Sequence, residues 1–123
     1  MDSCFMGIPT GQILNLIAVI ERDVQLLDGG KWDDEIWISK DLTEAYLSIL
    51  NTVESFNWTK WKRGIDAIQS DSDFEDFSED ELLKALYAIF RGDRFTQGIW
   101  AKYLSNGTIV KILRKIIERR GQQ

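Results

Sequence analysis

The feature that most constrains the fold is the recurrence of apolar residues three and four positions apart along most of the chain. This spacing places apolar side chains on one face of an α-helix. Pro9 is the only proline, so no proline interrupts these segments. We therefore predict an all-α fold, a compact array of about six short helices that forms a single domain over residues 1–123.

Three of these helices are predicted within residues 10–70. The first has a threonine as its N-cap and a pair of glycines after it. The second begins with the spacing of a capping box, and the third follows an asparagine cap. The residues that mark these ends are Thr10, Gly29, Gly30, Asp41, Glu44, Ser55 and Asn57. The apolar row of the third helix, which we expect to be buried, is Trp58, Trp61, Ile65 and Ile68.

The other three helices are predicted after residue 77. Ser78 and Glu81 form the better of the two capping boxes and begin the fourth helix, which Gly92 ends. Asp93 is a candidate cap, and the fifth helix takes its apolar row from Phe95, Ile99, Trp100, Tyr103 and Leu104. An Asn106-Gly107 turn in the left-handed conformation ends that helix, and Thr108 caps the sixth.

The helical spacing breaks between the first two helices. Tryptophan and isoleucine are set among acidic residues there, which is typical of an ordered loop or of one short extended segment near residues 31–40. The aromatic and acidic residues of this stretch are our first candidates for binding a partner protein, because an exposed tryptophan is a common interface anchor. They are Trp32, Asp33, Asp34, Glu35 and Trp37. The alternative is that both tryptophans pack into the core.

Composition excludes several kinds of chemistry. The chain has no histidine and only one cysteine, Cys4. Catalytic triads that use histidine and zinc sites built from histidine and cysteine are therefore excluded within one chain. We predict a non-enzymatic protein that needs no metal or cofactor. The lone cysteine favours a cytoplasmic location, and the absence of any long apolar run argues against a membrane partner.

Charge is divided unevenly along the chain. Residues 1–81 contain eighteen acidic and six basic residues, whereas residues 82–123 contain two acidic and nine basic ones. The two regions can pair within the fold, coat opposite faces, or engage a charged partner. Four acidic residues before the fourth helix are further candidates for partner binding: Asp71, Asp73, Glu75 and Asp76. The net charge of −5 disfavours direct binding to nucleic acid.

A second hypothesis concerns a small anionic ligand. Arg91, Arg94 and Lys102 supply positive charge near Trp100, a combination that suits a nucleotide because cations bind phosphate and an aromatic ring stacks on a base. The protein would then bind or sequester that ligand.

The C-terminal two thirds of the chain also resemble a known family. The residues that carry the resemblance are Phe56, Asn57, Trp58, Trp61, Arg91, Asp93, Arg94, Phe95, Gly98, Ile112, Leu113 and Ile116. Over residues 41–118 they are similar to a bacterial and phage domain of unknown function, numbered 6508. The resemblance implies an all-helical fold and a bacterial or phage setting, and it supplies no activity and no binding residues.

These observations favour a protein-interaction module. One form of it is a phage or mobile-element inhibitor that binds a host protein of a bacterial defence system. The alternatives are a toxin-immunity protein and the nucleotide-binding protein described above. The sequence indicates no particular oligomeric state.

Overall fold

The structure is a computed structural model that describes residues 8–26, 39–70 and 73–121. The helices in these ranges are α1 (Thr10–Leu26), α2 (Lys40–Leu50), α3 (Lys62–Gln69), α4 (Glu79–Gly92), α5 (Ile99–Ser105) and α6 (Thr108–Gly121), with a 3-10 helix (Trp58–Lys60) before α3. No strand occurs within the described ranges, and the prediction of a six-helix all-α array is confirmed. Residues 31–38 of the predicted extended segment lie outside these ranges, and Lys40 is helical.

The core forms where α4 packs against α3, α5 and α6, and where α1 packs against α2 and α6. All six helices bury the apolar side of their pattern in one cluster. Tyr46 lies at its centre, where its hydroxyl donates a hydrogen bond to the Leu86 carbonyl oxygen at 2.8 Å. Burial raises the pKa of Tyr46 far above its ordinary value. The phenol therefore stays neutral and acts as a structural donor.

Of the two predicted capping boxes, one is present in the structure and one is not. The Ser78–Glu81 capping box is confirmed, because the Ser78 side chain accepts from the Glu81 N–H while the Glu81 side chain accepts from the Ser78 N–H. The box at Asp41 and Glu44 is wrong. Ser39 caps α2 instead, accepting from the Leu42 N–H at 3.1 Å while its hydroxyl donates to Asp23 at 2.7 Å.

Other predicted ends were also wrong. The second helix stops at Leu50 rather than near Ser55. Thr10 and Thr108 are the first residues of their helices, not caps. The Asn106 side chain accepts from the Thr108 N–H at 2.9 Å, and of the Asn106-Gly107 pair only Gly107 has a positive φ, +91°. Glycine suits that conformation because it has no Cβ.

The third helix is shorter than predicted. α3 begins after Trp61, so Trp58 and Trp61 precede the helix instead of lying on its face. The ring of Trp61 lies over Gly64, where an added Cβ would be only 2.2 Å from it. Of the predicted buried row only Ile68 is buried, and Trp58, Trp61 and Ile65 are half-buried.

The fifth helix begins four residues later than its predicted apolar row. Phe95 lies in the turn between α4 and α5 and is 75% exposed. One oxygen of Asp93 accepts from the backbone N–H groups of Gly98 at 3.0 Å and Trp100 at 3.2 Å. The predicted Asp93 cap therefore serves the start of α5, and it folds the turn so that Phe95 points away from the core.

We expect Asp93→Ala to lower the free energy of unfolding by about 1 to 2 kcal/mol, because two N–H groups at the start of α5 lose their acceptor. Urea unfolding followed by circular dichroism measures this loss. Asp93→Asn keeps an oxygen in the same place and should lose less. An alanine variant as stable as the asparagine variant would contradict the capping role.

Candidate functional site

The segment that the sequence singles out first for partner binding lies outside the described residues. This applies to Trp32, Asp33, Asp34, Glu35 and Trp37, and also to Asp71. Their proposed role stays a prediction. The three remaining acidic candidates, Asp73, Glu75 and Asp76, are exposed in the connection between α3 and α4.

The acidic connection and the basic end of α6 pair with each other within the fold. Lys115 lies 2.9 Å from Glu75, and Arg120 lies 2.7 Å from Glu79. Arg119 donates to the carbonyl oxygen of Phe77 at 2.9 Å and to that of Phe74 at 3.3 Å. Part of the uneven charge along the chain is thus paired within the fold, at Glu75 and Glu79, and this part does not require a charged partner.

The Glu75–Lys115 pair leads to a prediction on pH. The hydrogen bond and positive charge of Lys115 lower the pKa of Glu75. A lowered pKa in the folded state stabilises the fold above the ordinary pKa of glutamate, about 4.3, and this contribution is lost as the pH falls through the lowered value. We expect Glu75→Gln to lower the melting temperature slightly at pH 7 and to match the wild type in strong acid.

Thermal unfolding of both proteins from pH 7 down to pH 2 tests this expectation. Glu44→Gln is the control, because Glu44 is exposed on α2 and its ion pair with Lys40 is longer, at 3.8 Å. A Glu75→Gln deficit that stays constant over the whole pH range would contradict an electrostatic origin.

The aromatic residue proposed to hold an anionic ligand does not lie on the surface with the proposed cations. Arg91, Arg94 and Lys102 are exposed, whereas Trp100 is buried and only 8% exposed. The Trp100 ring meets Tyr46 and Phe90 edge-on, with centroid distances of 5.2 and 4.9 Å. Trp100 is therefore part of the core and offers no open ring face on which a base could stack.

An apolar groove lies beside the turn between α4 and α5. α3 contributes Ile65, Ile68 and Gln69, α4 contributes Ala88, Ile89 and Gly92, and α5 contributes Ile99 and Tyr103. Trp58, Phe95 and Thr96 complete its lining. Its volume is about 150 Å³, and a closed cavity of that volume holds one benzene ring. The groove thus has room for one large apolar side chain.

Phe95 and Trp58 are the aromatic residues of this groove. Phe95 is the most exposed of the large apolar side chains that the structure describes. Its ring is tilted against the half-buried ring of Trp58, with centroids 5.9 Å apart. Gly92 lies beside the Trp58 ring, since a Cβ there would be 3.7 Å from it. An exposed phenylalanine beside an apolar groove is typical of a protein-binding surface.

The sequence did not reveal this surface, because Phe95 lies at helical spacing from Ile99 and was predicted to belong to the apolar row of the fifth helix. The available signal was Asp93 followed five residues later by Gly98, since a capping carboxylate and a glycine with a φ of +92° together make a turn rather than a helix. That signal places Phe95 within the turn.

Within residues 8–26, 39–70 and 73–121, no group of three or more acidic or cysteine side chains is arranged to bind a metal ion. No helix in the described part of the chain has the length and apolar character needed to cross a membrane.

One comparison with known proteins gives a match. The model of a family of unknown function, DUF6508, matches residues 37–121. This confirms the resemblance seen in the sequence, and the matched range contains every residue that lines the groove. No curated protein and no solved structure matches the chain.

Proposed function

The chain belongs to DUF6508, a family of unknown function, and we propose that it is a non-enzymatic protein-interaction module that binds another protein through the groove at Trp58 and Phe95. The observation that carries this proposal is the 75% exposure of Phe95 beside that groove. Burying a phenylalanine side chain is worth about 1.5 to 3 kcal/mol relative to leaving it in water. A partner that covers Phe95 would gain this stabilisation.

The dimensions of the groove favour a protein over a nucleotide. Pockets for small molecules usually enclose about 300 to 1,000 Å³, and this groove measures about 150 Å³. One anchoring side chain of a protein fits such a volume. The nucleotide hypothesis keeps Arg91, Arg94 and Lys102 but loses the stacking surface at Trp100, which is buried. A thermal-shift measurement with millimolar nucleotide tests that alternative, since a bound ligand raises the melting temperature.

A narrower proposal concerns the biological setting. An inhibitor of a bacterial defence system, encoded by a phage or mobile element, would act in the bacterial cytoplasm by occupying a surface of its target. A toxin-immunity protein would use its groove in the same way. The neighbouring genes discriminate between them, because phage structural genes favour the inhibitor and an adjacent toxin gene favours immunity.

The experiment that tests the proposed function compares two serine variants in a capture from a lysate of the organism that carries the gene. Phe95→Ser removes the exposed aromatic of the groove. Leu14→Ser is the matched control, because Leu14 is 52% exposed on α1 and does not line the groove. We expect the wild type and Leu14→Ser to retain the same stoichiometric partner and Phe95→Ser to lose it. Equal retention by all three proteins would refute the groove as the binding site.

A further inference from the structure

Four cations that have no carboxylate partner in the described fold are close along the chain to residues that line the groove. Lys60, Arg91, Arg94 and Lys102 are all exposed, and each is within two residues along the chain of a residue that lines the groove. None of the four forms an ion pair with any carboxylate that the structure describes. The ammonium of Lys102 lies 5.3 Å from the ring centroid of Tyr103, which lines the groove. The guanidinium of Arg91 lies 5.7 Å from the ring centroid of Tyr87, one turn back on α4 and outside the groove lining.

The two described carboxylates near the groove interact with groups of the protein itself. Asp66 follows the lining residue Ile65 and lies 3.4 Å from Lys62. Asp93 accepts two backbone N–H groups at the start of α5. Asp71 is equally near along the chain but lies outside the described residues. The described surroundings of the groove are therefore basic, on a chain whose net charge is −5.

This contrast sets the groove apart from the other basic surface of the molecule. On α6, Lys115 and Arg120 pair with Glu75 and Glu79 within the fold. Around the groove the corresponding charges face solvent without such partners. Complementary charge on a binding protein speeds encounter and selects among partners.

We propose that the groove binds an acidic segment of a partner protein, in which one large apolar side chain enters beside Trp58 and Phe95 and flanking carboxylates meet Arg91 and Arg94. This proposal rests on the proposed function, since it names the chemistry of the partner for that same groove. A basic segment with the same anchor is repelled by the surrounding charge. A long anionic polymer without an apolar anchor leaves the groove unfilled.

Three fluorescein-labelled peptides of equal length test the proposal. Each carries one central phenylalanine, flanked by aspartate and glutamate in the first, by serine and glutamine in the second, and by lysine in the third. Fluorescence anisotropy with the full-length protein at 50 and 300 mM salt measures their affinity. We expect the acidic peptide to bind about fivefold to tenfold more tightly than the neutral one at low salt, as a few exposed charge pairs allow, and high salt to reduce this advantage.

Two variants separate the contribution of the positive charges to peptide binding from that of Phe95. The double variant Arg91→Gln and Arg94→Gln should weaken binding of the acidic peptide about fivefold to tenfold at low salt and so abolish its advantage over the neutral peptide. Phe95→Ser should weaken binding of all the peptides that bind. Lys111→Gln is the charge control, because Lys111 lies on α6 away from the groove lining.

The outcomes separate this proposal from the one on which it rests. The neutral or basic peptide could bind as tightly as the acidic one and lose this binding in Phe95→Ser. That result would refute the proposal of an acidic partner segment, and it would support the groove as the binding site. Failure of every peptide to bind, or binding unaffected by Phe95→Ser, would overturn both. Self-association in sedimentation that is lost in Phe95→Ser would show that a second copy fills the groove, and it too would overturn the acidic partner.

Discussion

Trp100→Ala is expected to lower the free energy of unfolding by about 3 to 5 kcal/mol, the usual cost of removing a buried tryptophan. Trp100 is only 8% exposed and is held edge-on between Tyr46 and Phe90. Its loss would leave a cavity between α2, α4 and α5. A loss of this size is a large part of the stability of a small domain.

The matched variant is Trp100→Phe. The Nε1 of Trp100 is buried, and it forms no well-aligned hydrogen bond among the residues described, so this N–H contributes little to the stability of the core. Phenylalanine removes this donor and keeps an aromatic ring, so we expect it to cost much less than alanine. Urea unfolding of the three proteins provides the comparison. A Trp100→Ala variant as stable as the wild type would contradict the core position and revive Trp100 as a ligand-stacking residue.

Phe95→Ser is expected to weaken the complex with the captured partner by at least 30-fold. This factor corresponds to about 2 kcal/mol, which is the threshold usual for a dominant interface residue. The same change should alter the free energy of unfolding by no more than about 0.5 kcal/mol, because an exposed side chain contributes little to folding. Calorimetric titration measures the affinity, and urea unfolding measures the stability.

The two variants are expected to have opposite effects: the change at Trp100 lowers stability, and the change at Phe95 weakens partner binding. Both residues belong to the apolar row predicted for the fifth helix, yet only one is buried. Phe95→Leu keeps an apolar anchor and should bind more tightly than Phe95→Ser. If Phe95→Ser unfolded readily while its affinity for the partner stayed unchanged, Phe95 would be a core residue and not a binding residue.

Local sequence patterns predicted most of the helical fold. Apolar spacing locates six helices because each must bury one face, and the Ser78–Glu81 box specifies a start through two reciprocal hydrogen bonds. The pattern fails at Phe95, since an apolar residue at helical spacing looks the same whether the helix includes it or not. Its position is determined by the Asp93 cap and by the positive φ of Gly98.

The charge pairing on the surface and the groove could not be predicted from local sequence patterns. Glu75 and Lys115 are forty residues apart along the chain and 2.9 Å apart in space, and no local pattern reveals that they pair. The sequence therefore predicts an acidic docking surface at a place where the fold pairs one of the acidic candidates, Glu75, with a lysine. The groove likewise needs α3, α4 and α5 to be packed before its floor exists.

A ¹⁵N NMR titration of the full-length protein with its captured partner locates the binding surface directly. We expect the largest changes on the side-chain N–H of Trp58 and on the backbone N–H groups of Gly92, Phe95 and Thr96, with little change at Leu14 on α1. Changes concentrated on α1 and α2, with the groove signals unmoved, would contradict binding at the groove.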